Sequence, residues 1–115
     1  MTINIKSSRV FLRPGFTDMR KQINGLASIV TEHMKNDPLD GSLYLFLGKT
    51  RRTLKVLYWD ETGFCLWIKR LELYKFPWPK EGESANEINK SELAMLLKGI
   101  DFFNAHKEVK FTKAC

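Results

Sequence analysis

Two seven-residue runs rich in strand-forming residues, Thr53–Trp59 and Phe64–Arg70, flank Asp60-Glu61-Thr62-Gly63, and this spacing constrains the fold more than any other feature. Such runs around a Gly-containing turn read as a β-hairpin. Parity then selects a register. A three-residue loop with Gly63 in the left-handed conformation pairs Tyr58 with Leu66 and Val56 with Ile68. One face becomes Leu54, Val56, Tyr58, Phe64, Leu66 and Ile68, all apolar. A two-residue loop pairs Leu57 with Leu66 and Lys55 with Ile68, which mixes the faces. A slip of one residue moves every side chain to the other face, so the first register is expected. Its opposite face carries Lys55, Leu57, Trp59, Cys65, Trp67 and Lys69. Lys55 and Lys69 then lie across from each other, which is mildly unfavourable unless an anion comes between them.

The remaining elements follow from periodicity and punctuation. Val10-Phe11-Leu12 is a short strand ended by Pro14-Gly15. Thr17 offers an N-cap and Asp18 a first-turn charge. Met19, Ile23, Leu26, Ala27, Val30 and Met34 then form one apolar stripe, predicting a helix over 18–35. Asn36-Asp37-Pro38 stops it and Asp40-Gly41 turns the chain. Leu43–Leu47 is apolar throughout, as expected of a strand covered on both faces. Leu71–Trp78 is a further extended stretch. Polar residues over 80–89 read as an exposed loop. Asn89 with Glu92 resembles a capping box opening a last helix, with Leu93, Leu96, Leu97 and Ile100 as its stripe and Gly99 near its end. The expected architecture is α+β: a small antiparallel sheet of three to five strands, packed with a helix in the N-terminal half and a C-terminal helix. The 115 residues fit one domain, 1–115, ending in a tail over 102–115.

Composition narrows the function. With 43% hydrophobic and 12% aromatic residues the chain suits a folded protein. No apolar run is long enough to cross a membrane, and Met1–Lys6 has no signal-peptide character, so a cytoplasmic location is expected. Cys65 and Cys115 form neither a disulfide framework nor a zinc cage. The net charge of +6 lies in residues 1–79, with 13 basic against 7 acidic residues, while 80–115 is balanced. That excess fits an anionic partner, nucleic acid first, or a soluble basic surface.

Most catalytic motifs fail on inspection. Gly48-Lys49-Thr50 resembles the end of a phosphate-binding loop, but position 43 is Leu where that motif requires Gly. The candidate metal carboxylates Asp18, Asp60, Glu61, Glu72 and Asp101 form no motif, and each has a plain role in a cap, turn or ion pair. His33 and His106 lie in no recognisable catalytic frame. What rises above background is a basic run, Lys49, Arg51, Arg52 and Lys55, together with Lys69-Arg70 and Lys75. Interleaved with Trp59, Trp67, Tyr74 and Trp78, it has the composition to grip phosphates and stack on bases. The bland alternative is that the Trp rings fill the core and the cationic stems cover its rim.

An ordered set of short motifs resembles the TnpB accessory proteins of IS66-type insertion sequences. Thr17-Asp18-Met19-Arg20 resembles their opening motif, and Asp37-Pro38 with Gly41 their next turn. Phe46, Arg51-Arg52, Lys55 and Trp59-Asp60 follow, then Gly63, Leu66, Lys69-Arg70-Leu71-Glu72, Phe76 and Trp78-Pro79, and finally Leu96-Leu97 with Gly99-Ile100-Asp101. The resemblance spans residues 10 to 101. Tyr74 departs from it, standing where the family often has Gly, and the tail from Phe102 matches poorly. The resemblance implies a non-catalytic role, without cofactor, in moving a bacterial mobile element beside a separate, larger transposase. It does not extend to the RNA-guided nuclease of the same name, whose acidic and zinc motifs are absent here. Two readings follow. One is a nucleic-acid-binding accessory, contacting transposon ends or displaced single strands. The other is a module that docks on the cognate transposase. In either, the candidate contact residues are Lys49, Arg51, Arg52, Lys55, Lys69, Arg70, Trp59 and Trp67, with Arg20 from the opening motif.

Overall fold

The computed structural model describes residues 8–79 and 86–98. They form β1 (Val10–Leu12), α1 (Ile23–Glu32), β2 (Leu43–Leu47), β3 (Thr53–Trp59), β4 (Phe64–Arg70), β5 (Asn86–Ile88) and α2 (Lys90–Leu97). The expected α+β architecture is present as one five-stranded sheet in the order β4-β3-β2-β1-β5. The sheet is mixed rather than wholly antiparallel. The connection through α1 returns β2 parallel to β1, as a helical crossover allows. Gly99, Ile100 and the 102–115 tail lie outside the described residues.

Both faces of the sheet are covered. One face carries Phe11, Tyr44, Phe46 and Leu57, packed beneath Leu26, Ile29, Val30 and Met34 around α1. The other carries Leu12, Leu45, Leu47, Leu54 and Val56, covered by Leu93 and Leu96 of α2 and by Phe76. The central strand β2 is accordingly buried along its whole length, as its unbroken apolar run implies. The capping box of α2 forms as expected: Asn89 Oδ1 accepts from the Glu92 amide at 2.7 Å, and Glu92 Oε1 from the Asn89 amide at 2.9 Å.

Double coverage overturns the parity argument for the hairpin. The register pairs Leu57 with Leu66, Lys55 with Ile68 and Leu54 with Lys69, one residue away from the expected one. Asp60 N–H donates to Gly63 O at 3.0 Å, so the loop is Glu61-Thr62. Glu61, at φ 71, takes the left-handed conformation expected of Gly63. Parity favours a register only when one face meets solvent; here both faces of β3 are buried, and the mixed register leaves Ile68 of β4 53% exposed.

Three boundaries also move. The helix starts at Ile23 rather than 18, with Gln22 as an N-cap that makes no side-chain bond. Thr17 N–H donates instead to Leu47 O at 2.8 Å, extending the sheet's bonding, and Asp18 closes a turn by accepting the Arg20 amide at 2.9 Å. The helix ends at Glu32, and Lys35 follows in the left-handed conformation at φ 58. Within the stretch expected as loop over 80–89, residues 86–88 form edge strand β5 beside β1, with Ile88 buried; residues 80–85 lie outside the described residues. Leu71–Trp78 is an irregular strip that forms no regular strand. It runs at the end of the sheet where β3 begins, bonded to Arg51 and Arg52, and is anchored by Phe76.

Candidate nucleic-acid interface

The revised register separates the two lysines expected to share a face. Lys55 lies on the α1 face and Lys69 on the α2 face. Lys55 is only 4% exposed, with its Nζ donating to Met19 O at 2.9 Å and Lys21 O at 3.0 Å. Its stem lies along the sheet and its ammonium binds the turn that precedes α1. Lys69, half-buried, sends its Nζ to Leu97 O at 3.1 Å. A cation there satisfies an orphan carbonyl of the last turn of α2 and opposes the helix dipole.

Arg51 and Arg52 serve the irregular strip. Arg51 has φ 65, with its carbonyl accepting from the Phe76 amide at 2.8 Å and its Nε donating to Phe76 O at 3.0 Å. Arg52 donates one Nη to Glu72 O at 2.9 Å, and its carbonyl accepts from the Leu71 amide at 2.8 Å. Both residues are half-buried, each held by one side-chain bond and one main-chain bond. Each guanidinium nevertheless uses one N–H on the protein, out of five donors on the group.

The outer cations differ. Arg70 is exposed and pairs with Glu72 at 2.9 Å. Arg20 forks onto Asp18, and its hydrogen bonds hold that carboxyl well below the usual carboxylate range. Lys49 is exposed in the turn before β3 and has no side-chain partner among the described residues. Trp59 is half-buried and meets Phe64 edge-on at 5.1 Å. Trp67 is half-buried against the α2-side core, and Trp78 donates its Nε1–H to Arg13 O at 2.7 Å.

The hairpin face is therefore not one basic-aromatic surface. The structure collects Lys49, Arg51, Arg52 and Arg70 at one end of the sheet, where β1 and β2 finish and β3 begins. Three segments meet there: 13–20, 48–52 and 71–79. They are joined by Thr17 N–H to Leu47 O, Gly15 N–H to Pro79 O, and the Arg51–Phe76 pair. A Cβ on Gly48 would sit 2.5 Å from Met19 Cγ, so the turn at 18–20 lies directly on this end. Lys75 joins the cluster, with Tyr74 70% and Leu73 80% exposed beside it and Phe16 half-exposed. Sequence patterning does not single out Phe16 or Leu73, since they lie in segments without periodicity. The opposite end is acidic: Asp40, Asp60 and Glu61 line an open cavity of about 650 Å³ with Tyr58 and Trp59. Among the described residues no group of three His, Cys, Asp or Glu stands close enough to hold a metal, and no helix is long and apolar enough to cross a membrane.

Comparison with known proteins places the whole sheet and both helices inside one family match. The model of the IS66 Orf2-like family matches residues 8–107. The uncharacterized protein y4hO of Sinorhizobium fredii is 40% identical over 105 residues, covering 91% of each chain. A second S. fredii protein, y4jC, is 31% identical over 94 residues, covering 82% of this chain and 80% of its own. No solved structure matches. On the family match, the identity and the coverage together, the chain belongs to the IS66 Orf2-like family of transposition accessory proteins.

Proposed function

We propose that this accessory protein is non-catalytic and binds nucleic acid, and that the contact surface is the basic end of the sheet rather than the hairpin face. The observation that carries the reading is the fixing of Arg51 and Arg52. Each is held by one carbonyl and keeps further N–H donors, so little side-chain entropy is lost when a phosphate takes them up. Lys49 and Lys75 add unpaired charge, and Tyr74 adds an exposed ring on which a base can stack. Docking on the cognate transposase is the second reading, favoured by Leu73, whose exposed side chain suits protein better than phosphate.

Lysines without structural work give the cleaner test, because alanine at Arg51 or Arg52 would also release the strip at 71–76. With Lys49→Glu/Lys75→Glu, DNA affinity should fall, and the slope of log affinity against log salt should shrink in magnitude by about 1.5, at unchanged melting temperature. An unchanged slope would remove the basic end from consideration. Retention of the tagged transposase by this variant after nuclease treatment would favour docking. The purified protein should leave DNA neither cut nor joined in magnesium or manganese; cleavage abolished by replacing Asp18 or Asp60 would make it an enzyme.

A further inference from the structure

The two edges of the sheet are built differently. The β5 edge is three residues long and carries Glu87, forked by Arg9 at 2.8 and 2.9 Å. Short, charged edges resist strand addition. The β4 edge is seven residues long, with no proline, no bulge and an unbroken register against β3. Its one charged side chain on the α2 face, Lys69, is turned onto Leu97 O. Bonds from Leu71 N–H to Arg52 O and from Asp60 N–H to Gly63 O mark the odd-numbered residues of β4 as those facing β3. Alternation then directs the backbone groups of Phe64, Leu66, Ile68 and Arg70 outward. Among the described residues no backbone bond reaches them. Ile68 is 53% exposed on this same edge.

We propose that β4 pairs antiparallel with β4 of a second copy of this chain, joining two sheets into one of ten strands. Full overlap of the seven residues places the two-fold axis at Trp67, so that Trp67 faces itself, Ile68 meets Leu66 of the second copy, and Arg70 meets Phe64 of the second copy. Trp67 then occupies a non-hydrogen-bonded pair, where opposing side chains approach most closely. Charge selects this occupant. The hairpin runs from an acidic tip, Asp60-Glu61, to a basic base, Lys69-Arg70 with Arg52. Antiparallel self-pairing sets each basic base beside the acidic tip of the other copy, twice by symmetry. Parallel pairing would bring like charges together.

The full chain should sediment as a dimer at micromolar concentration and dissociate as salt is raised. Ile68→Lys should make it monomeric with the parent's far-UV circular dichroism. Asp60→Lys/Glu61→Lys changes only exposed loop residues, so folding is not at stake. It should raise the dimer dissociation constant by about tenfold or more. A monomeric parent would overturn the proposal, as would a dimer that both variants leave intact.

Discussion

Lys55→Met is expected to lower stability by about 3 kcal/mol, read as a lower urea midpoint at unchanged slope. Methionine keeps the apolar stem that lies on the sheet and deletes only the ammonium, so the loss isolates what Nζ does. Two effects oppose each other. Removing a buried charge relieves its desolvation, and buried ion pairs replaced by apolar groups are often more stable. Here no anion is left behind, but the carbonyls of Met19 and Lys21 lose a charged donor at 2.9 and 3.0 Å. Bonds to charged groups are worth about 1.5–3 kcal/mol each, so their loss outweighs the relief. The turn at 18–21, which sets the start of α1, should loosen with them. Lys55→Glu should not fold, since it aims a carboxylate at two carbonyl oxygens from a buried site. A Lys55→Met protein as stable as the parent would show that the ammonium does not hold the turn.

Local chemistry was the most legible part of the fold. The capping box needs only Asn89 and Glu92, three residues apart, and it forms as read. The unbroken apolar run at 43–47 correctly implies a strand buried on both faces. That same burial makes the neighbouring hairpin illegible: parity assigns faces only when one is wet, and β3 inherits two dry ones. The start of α1 differs from the local pattern because Thr17 gives its N–H to Leu47, a partner 30 positions on that no local pattern contains.

The surroundings of the candidate site residues were hidden in a related way. Residue types mark out the cations but not the acceptors they reach. Lys55 reaches back 36 and 34 positions, Lys69 forward 28 and Arg51 forward 25, each to a main-chain carbonyl in an irregular or terminal segment. A carbonyl has no sequence signature, so a structural cation and a phosphate-binding one look alike in the chain. Burial separates them: Lys55 is enclosed, while Lys49 stands in solvent. The set Arg51-Arg52, Lys55, Lys69-Arg70 therefore mixes two jobs. Part of it staples loops to the sheet, and the remainder faces outward at the basic end.

Phe76→Ala is expected to cost about 3–5 kcal/mol, the range for truncating a fully enclosed aromatic. Phe76 is completely buried in the core on the α2 side and is the anchor by which the irregular strip grips the sheet. Its amide and carbonyl also hold Arg51, so a void at this position loosens the guanidinium that the proposed interface needs. Binding should therefore weaken along with stability in Phe76→Ala. Two positions earlier the strip behaves differently. Tyr74 is 70% exposed, and Tyr74→Ala should change stability by less than about 0.5 kcal/mol, as is usual at the surface. If its ring stacks on a base, the same substitution should cost about 1–3 kcal/mol in single-strand binding. Urea titrations and binding isotherms on the two variants thus separate the anchor of the strip from its outward face. A Phe76→Ala protein that unfolds no more easily than Tyr74→Ala would mean that the strip does not rest on the core at all. Arg51 would then have no fixed carbonyl to lean on, and the case for a preformed phosphate grip would fall with it.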